Sequence, residues 1–254
     1  MQLRAPARPR RLAIKGHRHG WTTALRLLAA AVAIWAVLTG LGLLLTHVLE
    51  TGSVHRADLG VDVWFARHRS AGWTSVMEFG TNLATTQTVI AVAAAAALLL
   101  RWRLGRWHES LIVITAVAGE VLIFLAVTEM VPQRRPPVPR LEAAPPTSSY
   151  PSGHTAAAVA LYCGLGVLVL IRVGRPWLRA PAAVLFCIPV YVAISRLYEG
   201  EHYPSDVIAG ALLGSLWLIC VFRTLSPRRA ESRADQRPAA RPVRPARPVR
   251  PARR

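Results

Sequence analysis

The sequence has few residues that could bind a metal ion or form a disulfide. Of its 254 residues, 13 are acidic and three are cysteines. Cys163, Cys187 and Cys220 all fall within apolar segments, and their spacing is not that of a paired metal-ligand motif. We interpret them as small packing residues. The sequence therefore predicts no disulfide, no zinc site and no cofactor.

Apolar residues, in contrast, are abundant. They make up 53% of the chain, and the mean hydropathy is +0.33, which together exceed what is typical of a soluble domain. A helix of about 20 residues spans the roughly 30 Å of a bilayer's hydrocarbon core. Apolar segments suited to this role fall near residues 24–48, 76–100, 109–130, 154–173, 181–195 and 205–224, of which the fifth is the shortest. We therefore predict an all-α, polytopic membrane protein with six transmembrane helices in a bundle.

Two polar features in this pattern have structural consequences. Glu120 lies inside the third span, where a carboxyl group is costly in lipid, so it should face the bundle interior. The segment 50–73 mixes apolar and charged residues in a pattern typical of a short helix in the membrane interface.

The net charge of +18 is concentrated at the two ends of the chain. Residues 1–23 hold six Lys or Arg and no acidic residue, and residues 226–254 hold ten Arg against two acidic residues. Basic tails beside membrane spans favour contact with anionic lipid headgroups over nucleic acid, which we do not expect as a partner. We predict a basic cytoplasmic segment (1–23), a membrane domain (24–224) and a disordered Arg/Pro-rich tail (225–254). The oligomeric state is left open.

The distribution of basic residues also predicts an orientation. With the N-terminus inside, the cytoplasmic segments hold 23 of the 31 Lys and Arg residues, and the outer loops hold seven. We therefore predict an integral plasma membrane protein with both termini in the cytoplasm. The loops at 131–153 and 196–204 then share the outer face, so the polar residues on them can converge.

Two polar stretches at that face carry candidate functional residues. In Pro151-Ser152-Gly153-His154, Ser152 is placed as the N-cap of the fourth span, with free amides that could face an anion. In the second stretch, Asp206 follows His202 by four residues, on the same side of a helix, and Arg196 precedes both. Each pattern alone is also compatible with a capped helix end, an interfacial histidine or a surface salt bridge.

A third polar element, Arg134-Arg135-Pro136-Pro137, follows the third span and by itself is typical of an interfacial anchor. Together, in this order and on one face, the three elements resemble the type 2 phosphatidic acid phosphatase superfamily, which also contains vanadium haloperoxidases. Its signature is Lys-x6-Arg-Pro, Pro-Ser-Gly-His and Ser-Arg-x5-His-x3-Asp. The second and third motifs match in full, the third beginning at Ser195. The first departs, because Thr128 stands at the lysine position. Two alternatives follow: the phosphate group is bound with lower affinity, or Arg134 or Arg140 supplies the positive charge of the missing lysine.

The resemblance implies a role for each matching residue. His202 would attack phosphorus to form a phosphohistidine, while Asp206 orients its imidazole. His154 would protonate the leaving oxygen and then activate water. The implied phosphate-binding residues are Arg135, Ser152, Gly153 and Arg196. Because arginines and amides neutralise the phosphoryl charge, no metal is implied.

Glu199 and Glu201 flank the implied nucleophile and could bind a cation. No further carboxylates cluster nearby, so we interpret them as solvated loop residues.

The implied function is metal-independent hydrolysis of a lipid phosphate or pyrophosphate. Undecaprenyl pyrophosphate, phosphatidic acid and diacylglycerol pyrophosphate are the substrates that the resemblance suggests. Two alternatives use the same residues differently. One is a membrane phosphotransferase with the same histidine, and the other is a catalytically silent protein that binds or transports phospholipids, which the threonine at position 128 would favour. Haloperoxidase activity is disfavoured, because those relatives are soluble chains.

Overall fold

The structure is a computed structural model that describes residues 14–49, 51–142, 147–172 and 179–226. Over these residues the secondary structure is helical. The helices are α1 (Ile14–His47), α2 (Ser53–Arg67), α3 (Ala71–Asn82), α4 (Thr86–Leu104), α5 (His108–Met130), α6 (Gly153–Ala158), α7 (Gly164–Arg172), α8 (Arg179–Tyr198) and α9 (Pro204–Leu225), with a π-helical turn at Val159–Cys163 between α6 and α7. Most of the predicted basic N-terminal segment and nearly all of the predicted tail lie outside the described residues.

Six helices in the described part of the chain are long and apolar enough to cross a membrane. They are Gly20–His47, Thr86–Leu104, His108–Met130, Gly153–Ile171, Arg179–Tyr198 and Pro204–Leu225. The fourth of them combines α6, the π-helical turn and α7. The prediction of an all-α membrane protein with six spans is therefore confirmed.

The predicted second span, 76–100, is wrong in its bounds. The chain instead leaves one helix at Asn82 and enters the next at Thr86. Thr85 adopts an extended conformation as the N-cap of α4, and its hydroxyl accepts from the Thr88 amide at 3.5 Å. Hydroxyl and amide side chains compete with the backbone for hydrogen bonds. The polar residues Asn82, Thr85 and Thr86 therefore end α3 and begin α4. Helix α3 packs against α8 as a separate element.

The fifth span is longer than predicted. Helix α8 has 20 residues and includes Ser195 and Arg196 in its last turns, although the sequence placed Arg196 in a loop. Both residues are buried, with relative exposures of 0% and 4%. A guanidinium at a helix C-terminus is favoured by the helix dipole, and here it lies among carboxylates as described below.

Close packing of α6 on α9 positions the start of the fourth span. A Cβ atom at Gly210 would lie 2.3 Å from the Ser152 carbonyl oxygen, and one at Gly214 would lie 2.6 Å from the Ala156 carbonyl oxygen. Only glycine allows the two backbones to approach this closely. At the end of the contact, the Ser152 amide donates to the Asp206 carbonyl at 2.9 Å.

Helix α5 lies at the centre of the bundle, against α1, α4 and α9. Gly119 leaves room for the ring of Trp217, whose Nε1 donates to the Thr115 carbonyl at 3.1 Å. Glu120 is 1% exposed, which confirms the prediction that it faces the interior. The predicted interfacial helix corresponds to α2, which packs on α8 and α9.

Candidate active site

The candidate site lies at one end of the bundle, where α5 and α8 end and α6 and α9 begin. Arg135 is in the loop after α5, and Arg196 is in the last turn of α8. His154 is in the first turn of α6, His202 is in the loop before α9, and Asp206 is in the first turn of α9. The structure thus brings the three polar sequence elements together at one face.

His202 is buried, with 5% of its surface exposed. Its Nδ1 atom lies 2.7 Å from the Ser149 carbonyl oxygen. A carbonyl oxygen only accepts hydrogen bonds, so Nδ1 carries the proton and Nε2 has a free lone pair. Burial lowers the pKa of His202, and the nearby Asp206 carboxylate opposes that shift. The imidazole is therefore neutral at neutral pH, with Nε2 able to act as a nucleophile.

The predicted contact between His202 and Asp206 is indirect. Asp206 Oδ2 lies 3.8 Å from His202 Nδ1, beyond hydrogen-bond distance. It accepts from the Ser149 hydroxyl at 2.5 Å and from the Tyr203 amide at 3.0 Å. Asp206 lies in the first turn of α9 and is part of the helix cap. Through its hydrogen bond with the Ser149 hydroxyl, the carboxylate positions Ser149, whose backbone carbonyl binds the imidazole.

His154 is partly buried, and its electrostatic neighbours are Arg135, Arg196 and His202. This second imidazole therefore faces the same group of charges as the first. The preceding residue, Gly153, packs against Phe124, and a Cβ atom there would lie 2.8 Å from the ring. Ser152 is the N-cap of α6, but its hydroxyl pairs with the Thr155 hydroxyl at 3.1 Å rather than capping a backbone amide.

The two arginines of the site are paired with carboxylates. Arg135 Nη1 donates to both the backbone carbonyl and the Oε2 of Glu201, each at 2.8 Å. Arg196 Nη1 donates to Glu199 Oε2 at 2.7 Å and to Glu142 Oε2 at 3.0 Å. Glu201 Oε2 also lies 3.7 Å from Arg196 Nη2.

The interpretation of Glu199 and Glu201 as solvated loop residues is wrong. Their relative exposures are 4% and 0%. A buried guanidinium needs a nearby counter-charge, because burying an isolated ion costs several kcal/mol, on the order of 5. Burial raises the pKa of Glu199 to about 7, against the opposing effect of Arg196. Burial also lowers the pKa of Arg135, and Glu201 offsets part of this shift.

The loop that carries Arg135 is fastened to α8. The Arg69 guanidinium donates to the carbonyls of Tyr198 at 2.9 Å and Pro139 at 2.5 Å. Gly200 has a φ of 75°, and a Cβ atom there would lie 2.8 Å from Val138. Glycine at this position therefore permits both the turn and the close approach of the loop.

The first motif remains the least complete part of the site. Thr128 Oγ1 is buried and has no hydrogen-bond partner among the described residues. Arg134 is exposed. Arg140 is also exposed, yet it is an electrostatic neighbour of Arg135. Of the two arginines predicted as replacements for the lysine, Arg140 is thus seen to add positive charge near Arg135.

Some residues of the site were missed in the sequence. Ser149 supplies both the carbonyl on His202 and the hydroxyl on Asp206. Thr81 donates to Glu199 Oε2 at 2.8 Å from the distant α3. The polar run Thr147-Ser148-Ser149 before the proline was a signal for the first. The polar half of the predicted second span, which includes Thr81, was a signal for the second, but it did not indicate Glu199 as the partner.

The fold and the site together define a polytopic helical protein with two imidazoles, two guanidiniums and a helix N-terminus gathered at one end of its bundle. This set is suited to binding a phosphate group and to nucleophilic chemistry on it. Residues 111–230 match the PAP2 superfamily. The resemblance predicted from the motifs is therefore confirmed over these residues.

Curated relatives match shorter segments of the chain. It is 38% identical over 111 residues to an undecaprenyl-diphosphatase of Sulfolobus acidocaldarius, covering 42% of this chain and 47% of that protein. It is 40% identical over 80 residues to the bacitracin transport permease protein BcrC of Bacillus licheniformis, covering 30% and 34%. It is 29% identical over 96 residues to a probable diacylglycerol pyrophosphate phosphatase 1 of Schizosaccharomyces pombe, covering 34% and 33%. The chain thus spans less than half the length of these relatives.

Solved structures show the same fold over more of the chain. The PAP2-type phosphatidylglycerolphosphate phosphatase of Bacillus subtilis superposes with a TM-score of 0.67 at 22% identity, covering 77% of this chain and 98% of that one. LpxE of Aquifex aeolicus superposes with a TM-score of 0.50 at 22% identity, covering 66% and 94%.

Proposed function

We propose that this chain is a metal-independent integral membrane phosphatase that hydrolyses a lipid phosphate or pyrophosphate through a phosphohistidine on His202. The observation that carries the proposal is the hydrogen bond from His202 Nδ1 to the Ser149 carbonyl. This bond leaves the Nε2 lone pair free, on a ring whose electrostatic neighbours include His154 and the two arginines. A protein that only binds phospholipid would not need an imidazole held in this tautomer.

In the first step, His202 Nε2 attacks phosphorus, and the bond from phosphorus to the leaving oxygen breaks. Protonated His154 gives its proton to that oxygen. The phosphorylated imidazole is cationic, and the Ser149 carbonyl and the Asp206 carboxylate lie on its Nδ1 side. Arg135, Arg196 and the amides at the start of α6 would hold the three equatorial oxygens.

In the second step, neutral His154 takes a proton from water as the water oxygen attacks phosphorus. The bond from phosphorus to Nε2 breaks, phosphate leaves, and His202 returns to its neutral form. His154 is protonated again at the end of the cycle, so protons and charges balance.

A lipid diphosphate is the substrate class that we favour, with undecaprenyl pyrophosphate first. By their names, two of the curated relatives act on undecaprenyl diphosphate and on diacylglycerol pyrophosphate. Phosphatidic acid remains a second substrate in the proposal. We further propose that both termini are cytoplasmic and that the site faces outward, on the basis of the 23 to 7 distribution of basic residues.

Phosphate release by the detergent-purified protein tests the proposal. A panel of the three lipids is assayed with EDTA present, comparing the wild type, His202→Ala and the control His47→Ala, which changes an exposed histidine at the end of α1. We expect metal-independent release that falls about a thousandfold or more in His202→Ala and is unchanged in the control. Equal release by the wild type and His202→Ala would refute the assignment.

A rapid-quench experiment with labelled substrate distinguishes hydrolysis from its alternatives. Acid-labile, alkali-stable label on the wild-type protein is expected, and it should be absent from His202→Ala. Release of free phosphate as the product supports hydrolysis. Recovery of the label on an added lipid or sugar alcohol would instead indicate the phosphotransferase.

A further inference from the structure

A single carboxylate bridges the two arginines of the candidate site. Glu201 Oε2 lies 2.8 Å from Arg135 Nη1 and 3.7 Å from Arg196 Nη2. The side chain is fully buried. Its other oxygen, Oε1, is also buried and has no hydrogen-bond partner in the described part of the chain.

This carboxylate and a phosphoryl group would use the same donors. Guanidinium N–H groups recognise carboxylate and phosphate oxygens in the same planar manner. Glu201 directly precedes His202 in the chain, and its carboxylate lies on Arg135 and Arg196, which are electrostatic neighbours of His202. An incoming phosphate would have to share or displace the carboxylate's hydrogen bonds, and the two negative groups would repel each other.

The carboxylate is not the only acceptor that these arginines have. Arg135 Nη1 also donates to the backbone carbonyl of residue 201 at 2.8 Å, a contact that any side chain there would leave in place. Arg196 is held independently by Glu199 and Glu142. Removing the charge at position 201 therefore leaves each guanidinium with an acceptor in its present direction.

We propose that Glu201 is a specificity-determining residue that competes with phosphate for Arg135 and Arg196. Competition weakens the binding of every phosphate group, including inorganic phosphate, the product. A phosphate attached to a lipid gains additional affinity because its chain is partitioned into the bilayer beside the site. Glu201 therefore favours lipid-linked phosphates over soluble ones and promotes release of the product. This inference rests on the proposed function for the role of the two arginines.

Binding of inorganic phosphate to the full-length protein in detergent tests the inference. All proteins carry His202→Ala, so that binding is measured without turnover, and the dissociation constant is obtained by equilibrium dialysis with labelled phosphate. Glu201→Gln removes the charge with little change of shape, and we expect it to bind phosphate about tenfold or more tightly than the parent. Glu78→Gln makes the same chemical change at an exposed position of α3 and should leave the constant unchanged.

Steady-state kinetics of the same substitutions in the active protein provide the second measurement. Glu201→Gln should lower KM for a soluble phosphomonoester, p-nitrophenyl phosphate, more than for the lipid substrate. Glu201→Asp keeps the charge but withdraws it by one methylene group, so intermediate values are expected. If Glu201→Gln does not fold, the aspartate variant carries the test by itself.

The outcomes separate this inference from the function on which it rests. Phosphate binding by Glu201→Gln that equals or falls below that of the parent would mean that the carboxylate holds the arginines in place, and the inference would be refuted while the phosphatase assignment stands. Absence of phosphate binding in both proteins would refute the inference and the proposed site together. Tighter binding without any phosphatase activity in the wild type would support the anion competition and refute the enzyme.

Discussion

Replacement of Asp206 by asparagine isolates the charge that supports the proposed nucleophile. Asparagine keeps an oxygen that can accept from the Tyr203 amide, so the cap of α9 is retained. What it loses is the negative charge 3.8 Å from His202 Nδ1. That charge matters little while the imidazole is neutral, and in the proposed mechanism it matters most when phosphorylation makes the ring cationic.

The magnitude follows from that distance. Two unit charges 3.8 Å apart interact by about 4 kcal/mol at an effective dielectric constant of about 20. The Ser149 carbonyl, which remains, shares the stabilisation of the cation. We therefore expect a loss of about 2 to 4 kcal/mol of transition-state stabilisation, which corresponds to a fall in kcat of about 30-fold to 1000-fold. KM should change little, because the lost interaction is absent from the ground state.

The assay is steady-state phosphate release from the lipid diphosphate, with EDTA present and the thermal unfolding temperature measured in parallel. Ser149→Ala is the matched control, because it removes the hydroxyl bonded to Asp206 and keeps the backbone carbonyl on His202. It should cost about tenfold or less. A kcat for Asp206→Asn within about threefold of the wild type would refute the reasoning and reduce the carboxylate to a helix cap.

Two further predictions concern packing and pH. Gly210→Ala places a Cβ atom 2.3 Å from the Ser152 carbonyl oxygen, so it should lower both the unfolding temperature and the activity. The control Gly60→Ala, at a position with open space around it, should change neither. Unchanged values for Gly210→Ala would show that the close approach of α6 and α9 is not needed. Burial raises the pKa of Asp62 from 3.8 to about 8, so its stabilising contribution is present below pH 4 and is lost as the pH rises through 8. The unfolding temperature of the wild type should therefore fall relative to that of Asp62→Asn between pH 4 and pH 9. The control Glu78→Gln should show the same pH dependence as the wild type. A difference in unfolding temperature between the wild type and Asp62→Asn that is constant with pH would contradict the prediction.

The spans could be predicted from the sequence wherever apolar length alone decides them. Helix α5 was predicted within one residue of its observed bounds, because an uninterrupted apolar run has no competing structure in lipid. The segment 76–100 was mispredicted because its threonines can either pair between helices or cap one, and only the capping geometry at Thr85 distinguishes the two. The end of α8 was mispredicted because an arginine after an apolar run is typical of a loop, and its burial depends on carboxylate partners that only the structure shows.

The candidate site, like the spans, could be predicted from the sequence only in part. The motifs identified the imidazoles and guanidiniums because each must be a particular residue type at a particular spacing. Ser149 was missed since it contributes chiefly a backbone carbonyl, which every residue possesses. The burial of Glu199 and Glu201 was missed since a glutamate in a loop has the same local pattern whether it is solvated or paired.

The sequence by itself determined that this chain is a membrane protein with six helices able to span a bilayer, and that its candidate site residues lie near the ends of particular spans. These properties depend on composition and local spacing, both of which can be obtained from the sequence without a structure. The tertiary structure decided which atom of His202 is free, which acceptor holds it, and which carboxylates neutralise the arginines. Several of these contacts join segments that are distant along the chain, such as His202 with Ser149 and Arg135 with Glu201. Their energies depend on burial and on separations that exist only after the helices have packed.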